Sequence, residues 1–97
     1  MPKGYWVVCY RSISDPDAVA RYGKLAASAL ASHGARYLVR GAPTKTHEAG
    51  LDQRTVVIEF DSVEAAIKAH DSPGYQAAMK VLNNAAERDL RILAGLE

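Results

Sequence analysis

The chain has 97 residues, a size that forms one domain and buries only about 60–65% of the surface that its unfolded form exposes. Its 12 Lys and Arg residues nearly balance 11 Asp and Glu residues, with no block of like charge, which excludes the charged surface typical of nucleic-acid and membrane-surface binding. A single cysteine excludes an intrachain disulfide, and no signal-peptide pattern or long apolar segment is present. We therefore expect residues 1–97 to form one cytoplasmic domain.

The first half of the chain is predicted to be a strand, a helix and a second strand. Residues 5–11 are rich in aromatic and β-branched side chains, which favours a strand. Asp15 suits the N-cap of a helix and Pro16 suits its first position, while Gly34 is a typical helix stop. The apolar stripe of this helix comprises Val19, Tyr22, Leu25, Ala26, Ala29 and Leu30. The second strand is predicted at residues 36–40.

The second half repeats this order after a loop that spans residues 41–54. Asp61 and Glu64 form a capping pattern for one helix, and Ser72 with Pro73 begins another. We predict a strand at 55–60, a helix at 62–70, a second helix at 73–84 and a last strand at 89–93.

Two successive strand–helix–strand units predict an α+β fold, in which interleaved halves form a ferredoxin-like βαββαβ sandwich. Its four-stranded antiparallel sheet would carry the helices on one face. The first strand is apolar on both sides, because Trp6 and Val8 alternate with Tyr5 and Val7. A strand whose sheet has one face open to water normally alternates apolar with polar residues, and this strand does not. We therefore expect a second copy of the chain to cover the other face.

Four runs of the sequence, GYWVVCY, GARYLVRGAP, RTVVIEFDSVEAA and DSPGYQAA, resemble the domain-of-unknown-function family DUF1330. The resemblance covers essentially the whole chain and implies a homodimer of the dimeric α/β-barrel superfamily, whose sheets face each other. That superfamily includes cofactor-free monooxygenases, isomerases, haem-degrading enzymes and ligand-binding domains, so the resemblance leaves the function open. The chain departs from the family pattern at His70, Gly74 and Leu82.

Glu59 and Arg40 are the candidate catalytic residues. Glu59 is predicted to point to the open face, where an apolar dimer cavity would raise its pKa and allow it to act as a base. Arg40 could hold a substrate carboxylate in a fork geometry. The alternative is a structural ion pair between the two residues.

Tyr22, Tyr75 and His70 are the candidate ligand-binding residues. The two tyrosines fall on helices, where they are either packing residues or the polar lining of a pocket between helices and sheet. His70 is either a titratable group of that pocket or a solvated helix end. Cys9 is predicted to be a small buried side chain.

The histidines show no ligand spacing among themselves or with Cys9, so we expect neither a metal nor a cofactor. Pro2 raises the alternative of a tautomerase with an N-terminal proline base, on the strength of one residue.

Two functions fit these observations. One is a homodimer that binds a small molecule in a cleft between sheet and helices, as a cofactor-independent oxygenase or isomerase. The other is a non-catalytic dimeric module that binds a metabolite or a protein.

Overall fold

The computed structural model describes residues 2–96. Numbered in chain order, the elements are β1 (Gly4–Ile13), α1 (Pro16–Ala31), β2 (Arg36–Gly41), β3 (Thr55–Phe60), α2 (Val63–Asp71), α3 (Pro73–Leu82) and β4 (Ala86–Ala94). The predicted order is confirmed. The first and last strands are longer than predicted because β1 and β4 pair along nearly their whole lengths.

The strands form one sheet in the order β2-β3-β1-β4, and every neighbouring pair is antiparallel. Because β3 lies between β1 and β2, the two halves of the chain interleave, which is the ferredoxin-like arrangement. Trp6, Val8 and Tyr10 of β1 face the helices and are 1%, 2% and 3% exposed. The indole N–H of Trp6 donates to the carbonyl oxygen of Ala66 in α2 at 2.9 Å, which ties this helix to the sheet. The predicted α+β class and fold are confirmed.

The opposite face of the sheet carries no helix within residues 2–96. Tyr5 lies opposite Leu93 of β4, and Val7 lies opposite Val57 of β3, so these side chains share that face. Leu93 is 47% exposed. We call this side the open face, and it is apolar in part, as the sequence pattern predicts.

Local capping explains where the helices begin. The Asp15 carboxylate accepts the Ala18 N–H at 3.2 Å, and the Ser72 hydroxyl accepts the Tyr75 N–H at 3.3 Å, each just ahead of a proline. Both predicted starts are confirmed.

The predicted cap of α2 is wrong. Ser62, rather than Asp61, is its N-cap, and the Ser62 hydroxyl accepts the Ala65 N–H at 3.1 Å. Asp61 instead forms an ion pair with Arg36 at 3.1 Å, because it stands one residue too early to reach the first turn.

Helix α1 buries a narrower stripe than predicted. Val19, Tyr22, Ala26 and Leu30 are buried, whereas Leu25 is 47% exposed. Even this longest helix is too short and too polar to cross a membrane, and the same holds for every helix in the described part of the chain.

A bulge in β2 decides which way the side chains point. Tyr37 pairs with Ile58 but Val39 pairs with Val57, so Leu38 is an extra residue. One extra residue reverses the alternation of a strand. Arg40 therefore lies opposite Val56 and turns toward the helices.

Candidate ligand-binding cleft

A narrow cleft separates α1 from the helix-facing side of the sheet. The cleft has a volume of about 30 Å³. It shares four lining residues with a surface groove of about 530 Å³. The residues that line both spaces form what we call the throat: Val19, Gly23, Arg40 and Arg54. Beyond the throat, the cleft walls include Trp6, Tyr10, Tyr22, Tyr37, Ile58 and Arg88.

Two tyrosines and an arginine form a hydrogen-bonded cluster at the inner end of the cleft. The hydroxyl oxygens of Tyr22 and Tyr75 are 2.7 Å apart. The guanidinium of Arg88 donates to Tyr22 at 2.9 Å and to Tyr75 at 3.1 Å. Its Cζ also lies 4.9 Å from the centre of the Tyr22 ring and 5.6 Å from that of Tyr10. Tyr22 lines the cleft, while Tyr75 is 0% exposed and supports it from behind.

Burial fixes the protonation states of this cluster. Desolvation, reinforced by the neighbouring Tyr75, raises the pKa of Tyr22, so its phenol remains protonated at physiological pH. Burial lowers the pKa of Arg88, but the phenol oxygens around the guanidinium outweigh this and leave the pKa raised overall. The Tyr22 phenol is therefore neutral beside a permanent cation, and it acts as a hydrogen-bond donor rather than as a base.

Arg40 and Arg54 stand in the throat from different elements. Arg40 lies on β2, with its Cζ 5.0 Å from the centre of the Tyr37 ring. Arg54 directly precedes β3, where its carbonyl accepts the Tyr10 N–H at 3.0 Å. The Arg54 Nε is buried and has no hydrogen-bond partner within residues 2–96. Unsatisfied buried donors are rare in folded proteins, so each requires an explanation such as backbone strain, a catalytic role or a bound ion.

Gly23 opens the throat from the helix side. A glycine inside a helix is less favourable than alanine by about 1 kcal/mol. A Cβ added at Gly23 would meet no atom within 4 Å, so packing within the described chain does not require this glycine.

Glu59 lies on the open face, as predicted, but it does not meet Arg40. Its carboxylate accepts hydrogen bonds from Arg36 and from the Tyr5 hydroxyl, both at 2.8 Å. The Arg36 bond, followed by that from Tyr5, holds the pKa of Glu59 below its ordinary value. Within one chain Glu59 does not pair with Arg40, because the bulge at Leu38 places Arg40 on the other side of the sheet. The raised pKa expected of Glu59 in a dimer cavity stays a prediction.

The remaining candidates lie outside the cleft. The His70 ring packs edge-on against Trp6, 5.7 Å between centres, and tilted against Tyr75 at 5.2 Å. Cys9 is exposed rather than buried as predicted. It lies opposite Thr55 and Asp89 on the open face of the sheet. Pro2 precedes β1 and does not line the cleft. Within residues 2–96, no three His, Cys, Asp or Glu side chains converge as a metal site would require.

Sequence reasoning missed Arg88 and Arg54. Arg88 lies on the same face of β4 as Leu90 and Ile92. A predicted strand that began before residue 88 would have placed this arginine beside those two apolar side chains. Arg54 follows a long loop, and no local signal marks it.

These features describe a ferredoxin-like α+β protein with a basic cleft between its first helix and its sheet. The chain belongs to the family described as Domain of unknown function (DUF1330), whose model matches residues 3–96. None of the curated proteins compared with the chain matches it.

Solved structures share this fold over nearly the whole chain. A protein of unknown function from Rhodopseudomonas palustris is 20% identical with a TM-score of 0.72, covering 99% of this chain and 84% of that one. A dimeric ferredoxin-like protein of unknown function from Thermobifida fusca is 19% identical with a TM-score of 0.57, covering 96% and 91%. SnoaB, a cofactor-independent oxygenase from Streptomyces nogalater studied as a mutant, is 14% identical with a TM-score of 0.65, covering 100% and 96%. At these identities the likeness establishes the fold alone.

Proposed function

We propose that the protein is a homodimer of single-domain subunits, each of which binds a small molecule in the cleft between α1 and the sheet. The observation that carries this proposal is the convergence of Arg40 and Arg54 on one space between α1 and the sheet, where Arg54 also has a buried Nε without a partner among residues 2–96. Small-molecule sites combine apolar and aromatic walls with a few well-placed polar groups. The aromatic walls, Arg54 and the Tyr22–Arg88 pair supply that combination.

The open face supports the homodimer. Leu93 and Val39 remain 47% and 50% exposed on strands of the sheet. A second sheet packed against this face would remove them from water. The dimeric relative from Thermobifida fusca supports the same assembly. Light scattering at micromolar concentration should give twice the mass of the chain, and a monomer mass would contradict this part of the proposal.

Binding without turnover is the function that the geometry supports best. Among the described residues that line the cleft and the groove, none is a carboxylate, an imidazole or a thiol, so no ordinary general base faces the ligand. Tyr22 and Arg40 are proposed to contact the ligand, and Tyr75 to hold Tyr22 in place. Glu59 and His70 have no part in this binding proposal.

A cofactor-independent oxygenase or isomerase is the second candidate. The likeness to SnoaB supports it, as does the Tyr22–Arg88 pair, which could donate hydrogen bonds to an oxyanion that develops on a substrate. Turnover in a metabolite screen that is lost in Tyr22→Phe would favour this candidate over binding alone. Glu59→Gln tests the remaining prediction that Glu59 is catalytic.

The binding site can be tested by a ligand screen with a substitution that fills the throat. Compounds that raise the melting temperature of the native protein should lose this effect in Gly23→Leu. Gly23→Ala is the matched control, because its methyl group meets no atom within 4 Å and leaves most of the throat open. Ligands that stabilise Gly23→Leu as well as the native protein would refute the cleft as the site.

A further inference from the structure

The arginines that line the cleft differ in their partners from most of the arginines outside it. Outside the cleft, Arg36 pairs with Glu59 at 2.8 Å, and Arg91 and Arg11 pair with Asp89 at 3.0 and 3.3 Å. In the cleft, the guanidiniums of Arg40, Arg54 and Arg88 have no ion pair with any carboxylate of residues 2–96. Of the four arginines without an ion pair in residues 2–96, three thus surround one space, and the fourth, Arg21, is exposed on α1.

The groove outside the throat extends this positive character. Lys24 lines the groove, and the described lining residues of groove and cleft include no Asp or Glu. Cations that converge in a concave site with low-dielectric walls attract an anion more strongly than the same charges on a flat surface. The site therefore favours a negatively charged ligand.

A count of hydrogens places one further donor in the cleft. Tyr22 and Tyr75 carry one hydroxyl hydrogen each, and their mutual bond at 2.7 Å uses one of them. Arg88 donates to both oxygens and accepts nothing. If Tyr22 donated to Tyr75, the hydrogen of the fully buried Tyr75 would have no acceptor among the described residues, which is unfavourable. Tyr75 therefore donates to Tyr22, and the Tyr22 hydrogen is free to point into the cleft.

The dimensions of the two spaces separate a polar end from an apolar end. The inner cleft admits a group of only a few atoms, whereas the groove is large enough for the body of a small ligand. The groove wall outside the throat is largely apolar, with Ile13, Pro16, Ala20 and Ala27.

From these observations we propose that the ligand is a small monocarboxylate with an apolar body. Its carboxylate lies in the throat between Arg40 and Arg54, and one carboxylate oxygen accepts a hydrogen bond from the Tyr22 hydroxyl. Its apolar body lies along the groove. This assignment rests on the proposed function, since it names the ligand class of the same cleft.

Matched acid and amide pairs test the assignment. The probes are phenylacetate with phenylacetamide and hexanoate with hexanamide, titrated into isotopically labelled protein and followed by amide NMR shifts. Each acid should shift the backbone amide signals of Gly23, Arg40 and Arg54. It should also bind at least about tenfold more tightly than its amide, because the amide cannot form the charge-assisted hydrogen bonds. Arg54→Gln should weaken acid binding about tenfold or more, and Tyr22→Phe about fivefold.

The control is Arg21→Gln, which removes the same charge from an exposed position on α1 outside the cleft and the groove. It should leave acid binding unchanged, and an equal loss in Arg21→Gln and Arg54→Gln would overturn the throat as the anion site. Equal affinity for acid and amide at the throat would overturn the ligand class while leaving the cleft as a binding site. Tighter binding of phenyl phosphate than of phenylacetate would overturn the assignment of a carboxylate as the charged group of the ligand. Failure of the proposed function is separate, since it would appear as ligands that bind Gly23→Leu as well as the native protein.

Discussion

Replacing Gly23 by alanine should stabilise the protein. Gly23 lies in the interior of α1, where glycine has a large conformational entropy to lose and no side chain to pack. An added Cβ would find no atom within 4 Å, so the substitution brings no steric penalty inside the described chain. A position that gains stability from so small a change is one where packing does not explain the native residue.

The expected gain is about 1 kcal/mol per chain, the difference between glycine and alanine in a helix interior. For a domain of this size, 1 kcal/mol corresponds to a rise of about 4–8 °C in melting temperature. In a homodimer both chains carry the change, so the gain and the unfolding entropy double together and the shift stays the same.

Differential scanning calorimetry at one fixed protein concentration measures this shift, because the melting temperature of an oligomer depends on concentration. The matched control is Ser28, an exposed position of the same helix outside cleft and groove. There Ser28→Gly and Ser28→Ala should differ from each other by about as much as Gly23→Ala differs from the native protein, because both comparisons set glycine against alanine. A lower melting temperature for Gly23→Ala would mean that another backbone approaches this glycine in the assembly. It would refute the argument that the glycine keeps the throat open.

Gly4→Ala should have the opposite effect and destabilise by about 1–3 kcal/mol in urea unfolding, because its Cβ would lie 2.7 Å from the Cα of Val63; an unchanged midpoint would contradict this close approach. Glu59→Gln should lower the melting temperature at pH 7. In the folded protein the pKa of Glu59 lies below its unfolded value near 4.3, so the ion pair stabilises the fold above that pH. This contribution is lost as the pH falls through the folded-state pKa. The difference in melting temperature between Glu59→Gln and the native protein should therefore narrow toward pH 3. A constant gap would refute this ion-pair contribution. Tyr22→Phe and Tyr75→Phe should couple by about 1 kcal/mol in a double-mutant cycle of unfolding free energies, and additive effects would contradict the hydrogen bond between them.

Local signals make most of the fold predictable. Asp15 and Ser72 lie directly before prolines, and this combination marks a helix start without reference to the rest of the chain. Both ends of the strand Thr55–Phe60 are predicted correctly, because the alternation of side chains that marks a strand begins and ends at these residues. The βαββαβ order then leaves few ways to build one sheet.

The site is less predictable because it depends on pairing between strands. Nothing in the sequence RYLVR marks Leu38 as the extra residue of a bulge, yet this one residue moves Arg40 from the side of Glu59 to the side of Tyr22. Arg88 escapes prediction because the last strand begins three residues earlier than its own propensity suggests. The two phenols are identifiable as candidates, but their shared cation comes from a distant strand.

The cleft also explains why features unfavourable for stability occur together. Gly23 weakens its helix by about 1 kcal/mol, and a buried unsatisfied donor such as the Arg54 Nε costs about 1–3 kcal/mol. Arg40 and Arg88 add like charge to the same space without a carboxylate partner in residues 2–96. A bound anion would neutralise part of this charge, and at a concentration about 100-fold above its Kd it would stabilise the fold by about 2.7 kcal/mol. A helix glycine that packing does not require and unpaired cations around one space are better explained by binding than by folding.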